Sequence, residues 1–300
     1  MGAVQLLEIL CHLQEVNKEL RPVNKDVFNL KISSRCNQNC IYCNEWSNPA
    51  EPFTSVLLER LHRVIDMINE FTEGREWTPS IVGGEPTYWS YDFQEQILNE
   101  ISNCKRYLLF TNGFDMSSPL YKDERAIPYV HFINYRDLDK ISFLIDKIQK
   151  TGKKEWYACT VVTHLDTPFF LQYASYMKEH HLEKHIYTQF VHCTPGSSLE
   201  LTPNDKKAIY EYFKKLSIPL IGEYGREHST NFDNNLREKC WENRALNIEI
   251  NKDYISVCGG GLGKKGLCKK LYEVRDLKSL EKIKRDTEIC SSCTCPIHVL

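Results

Sequence analysis

The fold is decided by the stretch Phe28-Asn-Leu-Lys-Ile-Ser-Ser-Arg-Cys36-Asn-Gln-Asn-Cys40-Ile-Tyr-Cys43. Phe28, Leu30 and Ile32 alternate with other residues, and this period of two predicts a β-strand. Three cysteines with the spacing C-x3-C-x2-C follow the strand directly. The sequence therefore predicts a strand whose carboxyl end delivers three thiols to a single loop.

Three thiols in this spacing suit an iron–sulfur cluster. A [4Fe–4S] cubane accepts up to four cysteine ligands, and a short loop can bring three of them to three irons. The next cysteine along the chain is Cys104, so the local set is incomplete. An open coordination position is what a catalytic cluster needs, because a cofactor or substrate binds there. The alternative is a zinc site, which usually has paired knuckles or a histidine partner.

The distribution of cysteines and charges narrows the class of protein. The chain has 13 cysteines, an odd and clustered set that favours metal binding over a disulfide framework, and its first residues lack a secretory pattern. The net charge of -2 gives no basic field for nucleic acid or for an anionic membrane. No segment has the apolar length of a membrane span. We expect a cytoplasmic protein without nucleic-acid or membrane partners.

Strand and amphipathic-helix patterns alternate over residues 26–222. Asp137, Thr167-Pro168 and Thr202-Pro203 are typical helix starts. Six strand-then-helix units with parallel crossovers predict an α/β fold, a partial (β/α)6 TIM-like barrel. In such barrels the chemistry lies on loops at the carboxyl ends of the strands. An N-terminal helix is expected in residues 1–25, and a small cysteine-rich domain in residues 223–300.

Two further motifs accompany the cysteines. Gly83-Gly84-Glu85-Pro86 follows the second predicted strand, and Tyr42 precedes the third cysteine. Together with C-x3-C-x2-C, these features resemble the radical S-adenosylmethionine superfamily over about residues 26–222. The resemblance implies an enzyme that reductively cleaves S-adenosylmethionine to a 5′-deoxyadenosyl radical, which abstracts a hydrogen atom from the substrate. It also implies an electron donor such as flavodoxin or ferredoxin.

The resemblance assigns roles to individual residues near the first cluster. The amine and carboxylate of S-adenosylmethionine would chelate the iron without a cysteine ligand, and Tyr42 would pack near the adenine. Gly83 and Gly84 would let the backbone approach the ligand closely. Glu85 or a neighbouring carbonyl would accept a hydrogen bond from the ammonium.

A weaker match follows the third predicted strand. Thr111-Asn112-Gly113 corresponds to a family position that lines the cofactor pocket, although the same tripeptide also forms ordinary turns. Residues Asn134-Tyr135-Arg136 stand where many relatives have a Ser-x-Asp-Gly element, so the chain departs from the family there.

Six cysteines lie in the last third of the chain, from Cys240 to Cys295. Two of them bracket a predicted hairpin of Leu246–Ile250 and Tyr254–Val257, and a C-x2-C pair follows. This arrangement resembles the "twitch" appendage of radical enzymes, a shortened form of the SPASM domain. It implies four ligands for an auxiliary [4Fe–4S] cluster, the second in the chain, and these are Cys240, Cys258, Cys290 and Cys293. A zinc ribbon is the alternative.

Cys268 and Cys295 are left over from this ligand set. Cys268 follows a glycine-rich run and is a candidate hydrogen-atom donor for a redox-neutral reaction, whereas Cys295 is better placed as an alternative ligand.

Two classes of substrate remain open. A ribosomally made peptide, modified by epimerisation or cross-linking, suits the auxiliary cluster and the spare thiol, and we favour it. A small metabolite, such as an aminosugar or cyclitol, suits a compact enzyme with one auxiliary cluster, and the short segment before the first strand leaves little room for the peptide-binding module of many peptide-modifying enzymes. A hypothesis of another class is a non-catalytic zinc-binding module that recognises a protein partner.

Overall fold

The computed structural model describes residues 27–40, 43, 52–133, 136–190, 198–218, 247–256 and 268–277. The N-terminal helix predicted in residues 1–25 lies outside these ranges. The described strands are β1 Val27–Lys31, β2 Thr78–Val82, β3 Tyr107–Thr111, β4 Ala126–His131, β5 Tyr157–Val162, β6 Ile186–Phe190, β7 Asn247–Glu249, β8 Tyr254–Ser256 and β9 Cys268–Lys270. The described α-helices are α1 Ser55–Phe71, α2 Tyr91–Glu100, α3 Pro119–Lys122, α4 Leu138–Lys150, α5 Thr167–Glu179 and α6 Pro203–Leu216.

The first six strands form a parallel sheet in the order of the chain, and each pairs with the next. Parallel neighbours need crossovers, which are right-handed and therefore place the connecting helices on one face. The predicted α/β partial barrel is confirmed by this topology.

Several helix starts follow the expected chemistry. Asp137 accepts a hydrogen bond from the backbone of Lys140 at the start of α4. Thr202 and Asp205 form a reciprocal capping box at the start of α6. The helix α5 begins at Thr167, one residue earlier than expected, because Asp166 occupies its N-cap position.

The two faces of the sheet differ in burial. One face carries Leu30, Ile81 and Leu109, which are fully buried and join the apolar stripes of the helices in a single core. We call the opposite face the inner face. Its residues alternate with the core residues along each strand, and in β1 and β3 they are only partly buried. The inner face is therefore the side of the sheet on which the helices do not pack.

The hairpin predicted between Leu246 and Val257 is confirmed, since β7 and β8 pair antiparallel with Ile248 opposite Ile255. In addition, β7 pairs in parallel with β1, so the hairpin and β9 extend the barrel sheet beyond its first strand. Lys31 of β1 contacts Glu249 of β7 at 3.2 Å, and both side chains are largely buried. The boundary expected at residues 222–223 lies outside the described residues and stays a prediction.

The helix α1 holds this extension in place. Arg60 donates to the backbone carbonyl of Ile250 at 3.1 Å, and Arg63 donates to that of Val274 at 2.8 Å. No helix within the described ranges has the length and apolarity to cross a membrane.

Candidate functional site

The three cysteines of the first motif lie in the loop that leaves β1. Cys36 is buried, whereas Cys40 and Cys43 are partly buried. The backbone N–H of Cys43 donates to the carbonyl of Cys40 at 3.0 Å, and the N–H of Gln38 donates to Sγ of Cys36 at 3.3 Å. Burial raises the pKa of Cys36, the Gln38 bond opposes this, and nearby Glu85, Cys40 and Cys43 add to the rise. The three predicted ligands therefore lie close enough together for Cys40 and Cys43 to affect the pKa of Cys36.

Three cysteine thiols in one loop are the donor set of an iron–sulfur cluster. Among the residues that the structure describes, no three His, Cys, Asp or Glu side chains surround a point where one metal ion could bind. In a cubane each cysteine binds a different iron, so its sulfurs need not converge on one point. An N–H···S hydrogen bond, as from Gln38, favours the thiolate form that such a cluster requires.

We define the cysteine loop as residues 33–43. The two glycines after β2 pack directly against its first half. Gly83 and Gly84 have φ of +94° and +56°, which favours glycine. A Cβ atom on Gly83 would lie 2.9 Å from the carbonyl oxygen of Ser33, and one on Gly84 would overlap that of Arg35. In the structure the close approach therefore involves the backbone of the cysteine loop, whereas the motif had suggested a close approach to a ligand.

Glu85 lies at the centre of a buried hydrogen-bond network. Its side chain accepts bonds from Thr87 N at 2.9 Å, Thr87 Oγ1 at 2.7 Å and Thr111 Oγ1 at 2.6 Å, and from the backbone N–H of Asn112. Only 1% of Glu85 is exposed. Burial raises the pKa of its carboxyl, and the four hydrogen bonds counteract that rise. Glu85 therefore joins the ends of β2 and β3.

This network bears on the role expected for Glu85. Both carboxylate oxygens already accept bonds from protein donors. The sequence left the Glu85 carboxylate and a neighbouring carbonyl as alternative acceptors for an ammonium group, and that assignment stays a prediction. The backbone N–H of Glu85 in turn donates to the carbonyl of Arg35 at 2.8 Å, which ties the network to the cysteine loop.

Asn112 provides a second connection to the cysteine loop. Its side-chain amide donates to the side-chain carbonyl of Asn37 at 2.9 Å. Thr111 also accepts a bond from the backbone of Gly113 at 3.0 Å, which closes the turn after β3. Thr111-Asn112-Gly113 therefore does form a turn, and this turn contacts both other motifs of the site, the cysteine loop and Gly-Gly-Glu.

Arg35, Asn37, Thr87 and Trp89 are site residues that the motifs did not reveal. The guanidinium of Arg35 lies over the rings of Phe53 and Tyr88, 4.9 and 5.5 Å from their centroids. The indole N–H of Trp89 donates to the carbonyl of Arg35 at 3.3 Å. Arg35 precedes Cys36, and Asn37 lies between Cys36 and Cys40. These positions are the sequence signal that could have indicated both residues.

A polar cluster lies after β4 and β5. The guanidinium of Arg136 contacts the buried carboxylate of Asp166, which also accepts from Thr163 Oγ1 at 2.6 Å. Residues 134 and 135 lie outside the described ranges. The segment in which the chain departs from the family element thus includes Arg136, whose guanidinium is paired with Asp166 from the following loop.

Most of the remaining predicted site residues lie outside the described ranges, and these are Tyr42, Cys240, Cys258, Cys290, Cys293 and Cys295. Cys268 begins β9, the outermost described strand of the sheet, and its backbone is opposite Ser256 of β8. The auxiliary cluster and the hydrogen-donor role of Cys268 stay predictions.

Comparison with known proteins gives information at the level of structure. No family model and no curated protein matches the chain. Among solved structures, hexahistidine-tagged anSMEcpe with bound AdoMet has a TM-score of 0.61 and 17% identity, over 90% of this chain and 86% of that one. Native anSMEcpe with bound AdoMet and Kp18Cys peptide has a TM-score of 0.62 and 16% identity, over 88% and 82%.

A second protein shows the same likeness. Streptococcus suis SuiB bound to precursor peptide SuiA has a TM-score of 0.60 and 14% identity, over 94% of this chain and 70% of that one. At such identities the likeness establishes the fold. The resemblance to the radical S-adenosylmethionine superfamily, stated from the motifs, is confirmed as a resemblance of fold over most of the chain.

Proposed function

We propose that this chain, which shares the fold of anSMEcpe and SuiB, is a radical S-adenosylmethionine enzyme that modifies a ribosomally made peptide. One observation carries the proposal. Glu85 and Asn112, from the ends of β2 and β3, are hydrogen-bonded to each other and to the loop that holds Cys36, Cys40 and Cys43. Three motifs far apart in sequence thus form one site at the carboxyl edge of a parallel sheet, where barrel enzymes have their chemistry.

The residues of this site divide the work. Cys36, Cys40 and Cys43 would hold a [4Fe–4S] cluster, and Gly83 and Gly84 keep the cysteine loop against the end of β2. A cluster held there would supply one electron, received from a flavodoxin or ferredoxin, for the cleavage of S-adenosylmethionine to methionine and a 5′-deoxyadenosyl radical, which would become 5′-deoxyadenosine on taking a substrate hydrogen atom. The bond chemistry belongs to the cofactor, and the protein supplies orientation and exclusion of water.

A peptide substrate is supported by the structural neighbours. SuiB has been solved with its precursor peptide SuiA, and anSMEcpe with the Kp18Cys peptide. Epimerisation returns a hydrogen atom to the substrate, and Cys268 is our candidate donor. Cross-linking instead removes two hydrogen atoms, so the mass of the product separates these reactions. Oxidation of a small metabolite is the competing outcome of the same assay.

The proposal is tested by anaerobic reconstitution with iron and sulfide, followed by S-adenosylmethionine and dithionite. Wild-type protein should release 5′-deoxyadenosine, and a variant with Cys36, Cys40 and Cys43 replaced by Ala should release none. Cys104→Ala is the matched control, because Cys104 is a buried core thiol whose pKa burial raises to about 11. Continued release by the triple variant, or zinc as the bound metal in wild type, would overturn the proposal.

A further inference from the structure

Four aromatic rings form a continuous surface on the inner face of the sheet. They come from four successive strands, and we call them the aromatic floor: Phe110 of β3, Tyr129 of β4, Tyr157 of β5 and Tyr187 of β6. Tyr129 stacks on Phe110 and on Tyr157, with centroids 4.7 and 4.6 Å apart and planes 23° and 29° from parallel. Tyr187 meets Tyr129 edge to face at 5.1 Å. The ring of Tyr129 is thus the centre of the set.

Strand register explains why the rings meet. Phe110 is opposite Tyr129, which is in turn opposite Tyr157, so their side chains project from the same face of the sheet. Their neighbours along the strands, such as Leu109, Val130 and Ala158, belong to the core beneath the helices. None of the four rings belongs to that core as the described residues define it, and each ring is partly exposed.

The aromatic floor begins next to the candidate site. Phe110 precedes Thr111 and Asn112, which bond to Glu85 and to the cysteine loop. Tyr129 lies two residues before the end of β4. With a rise of about 3.3 Å per residue, Tyr129 lies roughly 7 Å below the end of β4 and Phe110 roughly 3 Å below the end of β3, whereas Tyr157 is the first residue of β5.

The ion pair on the inner face lies away from the floor, because Lys31 and Glu249, 3.2 Å apart, belong to β1 and β7, two or more strands beyond Phe110. At the other end of the floor, the hydroxyl of Tyr157 donates to Glu155 at 3.4 Å. Tyr129 has a ring stacked on each side, so a bound flat group would meet its edge and would stack on the outer face of Phe110, a ring without a polar atom. The Phe110 end of the floor therefore suits a neutral aromatic group.

We propose that the aromatic floor binds an aromatic side chain of the peptide substrate and sets which residue of the peptide is presented to the site. This inference rests on the proposed function and specifies its substrate class. Tyr129 is the central contact, and Phe110 connects the bound side chain to the strand end that carries Asn112. The four rings act as positioning and specificity residues, because the floor begins at Phe110, on the strand whose end carries Thr111 and Asn112.

The inference is tested by binding, so that it does not depend on turnover. The probes are three blocked tripeptides, acetyl-Gly-Phe-Gly-amide and its Leu and Lys counterparts, added to the reconstituted holoenzyme and followed by saturation-transfer NMR. Wild type should bind the Phe peptide at least fivefold more tightly than the other two. Tyr129→Leu should abolish this preference, and Tyr129→Phe, which keeps the ring, should retain it.

Two further variants complete the design. Tyr187→Leu removes a ring at the edge of the floor and should reduce the preference severalfold, and it replaces Tyr129→Leu if that variant does not fold. Tyr272→Leu is the control, because Tyr272 is 62% exposed and remote from the floor in sequence and sheet position. Equal binding of the three peptides to wild type, or an unchanged preference in both ring-deletion variants, would overturn the inference.

Release of 5′-deoxyadenosine is measured on the same samples. A preference for the Phe peptide without any cleavage of S-adenosylmethionine would refute the proposed function and leave the aromatic floor as a binding surface. Cleavage without the preference would refute the aromatic floor alone.

Discussion

The side-chain amide of Asn112 donates to the side-chain carbonyl of Asn37 at 2.9 Å, which joins the turn after β3 to the middle of the cysteine loop. The backbone N–H of the same Asn112 donates to Glu85. One residue thus connects the loops after β1, β2 and β3, and its geometry depends on all three.

A double-mutant cycle measures this connection. Asn37→Ala and Asn112→Ala should each weaken binding of S-adenosylmethionine to the reconstituted protein several-fold, because either change frees the cysteine loop from β3. The double variant should be little worse than either single one, since both remove the same bond. Isothermal titration provides the affinities. Additive losses would show that the two residues act independently, and Asn99→Ala, an exposed helix position, controls for loss of an amide.

Gly84→Ala should disrupt the cysteine loop itself. The new Cβ would overlap the carbonyl of Arg35, next to Cys36, so we expect both the iron content and the affinity for S-adenosylmethionine to fall. The matched control is Gly74→Ala, where φ is +75° but no atom lies within 4 Å of the added Cβ. Both variants share a backbone cost of about 1–2 kcal/mol for a left-handed alanine. Normal iron content in Gly84→Ala would contradict a tight contact between Gly84 and the loop.

Glu85→Gln should destabilise the apoprotein by about 1–3 kcal/mol, because the amide nitrogen cannot accept from the donors that now meet the carboxylate. Urea denaturation of the variant against wild type gives the difference. Glu95→Gln makes the same change at an exposed position of α2 and should have little effect. If the two variants proved equally stable, the network around Glu85 would contribute no net stability.

Asp123 provides a pH-dependent contribution away from the site. Burial would raise its pKa, but hydrogen bonds and the charge of Arg125, together with Lys153, outweigh burial and lower it below 3.8. A carboxyl with a lowered folded-state pKa stabilises the protein above its unfolded pKa and loses that contribution as pH falls through the folded value. At pH 7 the free energy of unfolding of wild type should therefore exceed that of Asp123→Asn by about 1–3 kcal/mol.

This difference should shrink below about pH 4. Urea denaturation between about pH 3 and 7 measures it, with Glu124→Gln, the exposed neighbouring position, as the control. A difference that stayed constant with pH would show that Asp123 contributes through packing alone.

The auxiliary cluster is tested by counting iron. Two [4Fe–4S] clusters correspond to about eight irons per chain. Replacing Cys290 and Cys293 by Ala should halve the iron content and leave the S-adenosylmethionine site loaded. Mössbauer spectroscopy distinguishes the two clusters. About four irons per chain in wild type would contradict the prediction of an auxiliary cluster. Zinc at Cys290 and Cys293 would instead identify the domain as a zinc ribbon.

Local patterns in the sequence were sufficient to predict several elements of this fold. Alternation of apolar residues predicted β1, helix-start residues such as Asp137 and Thr202 predicted α4 and α6, and turn residues predicted the hairpin of β7 and β8. The strand β4 runs from Ala126 to His131 and contains Pro128. A proline at position 128 argues against a strand, but pairing with β5 runs only from Tyr129 to His131, so the missing N–H is tolerated there.

The sequence by itself was enough to predict the class of the site, because the spacing of Cys36, Cys40 and Cys43 reflects ligand chemistry that acts within one loop. Only the tertiary structure decided that Glu85 binds Asn112, that β7 joins β1, and that Tyr129 meets Phe110 and Tyr157. The reason is strand register. Alternation along one strand shows which residues share a face, but which residues of different strands become neighbours depends on pairings between segments that are distant in sequence.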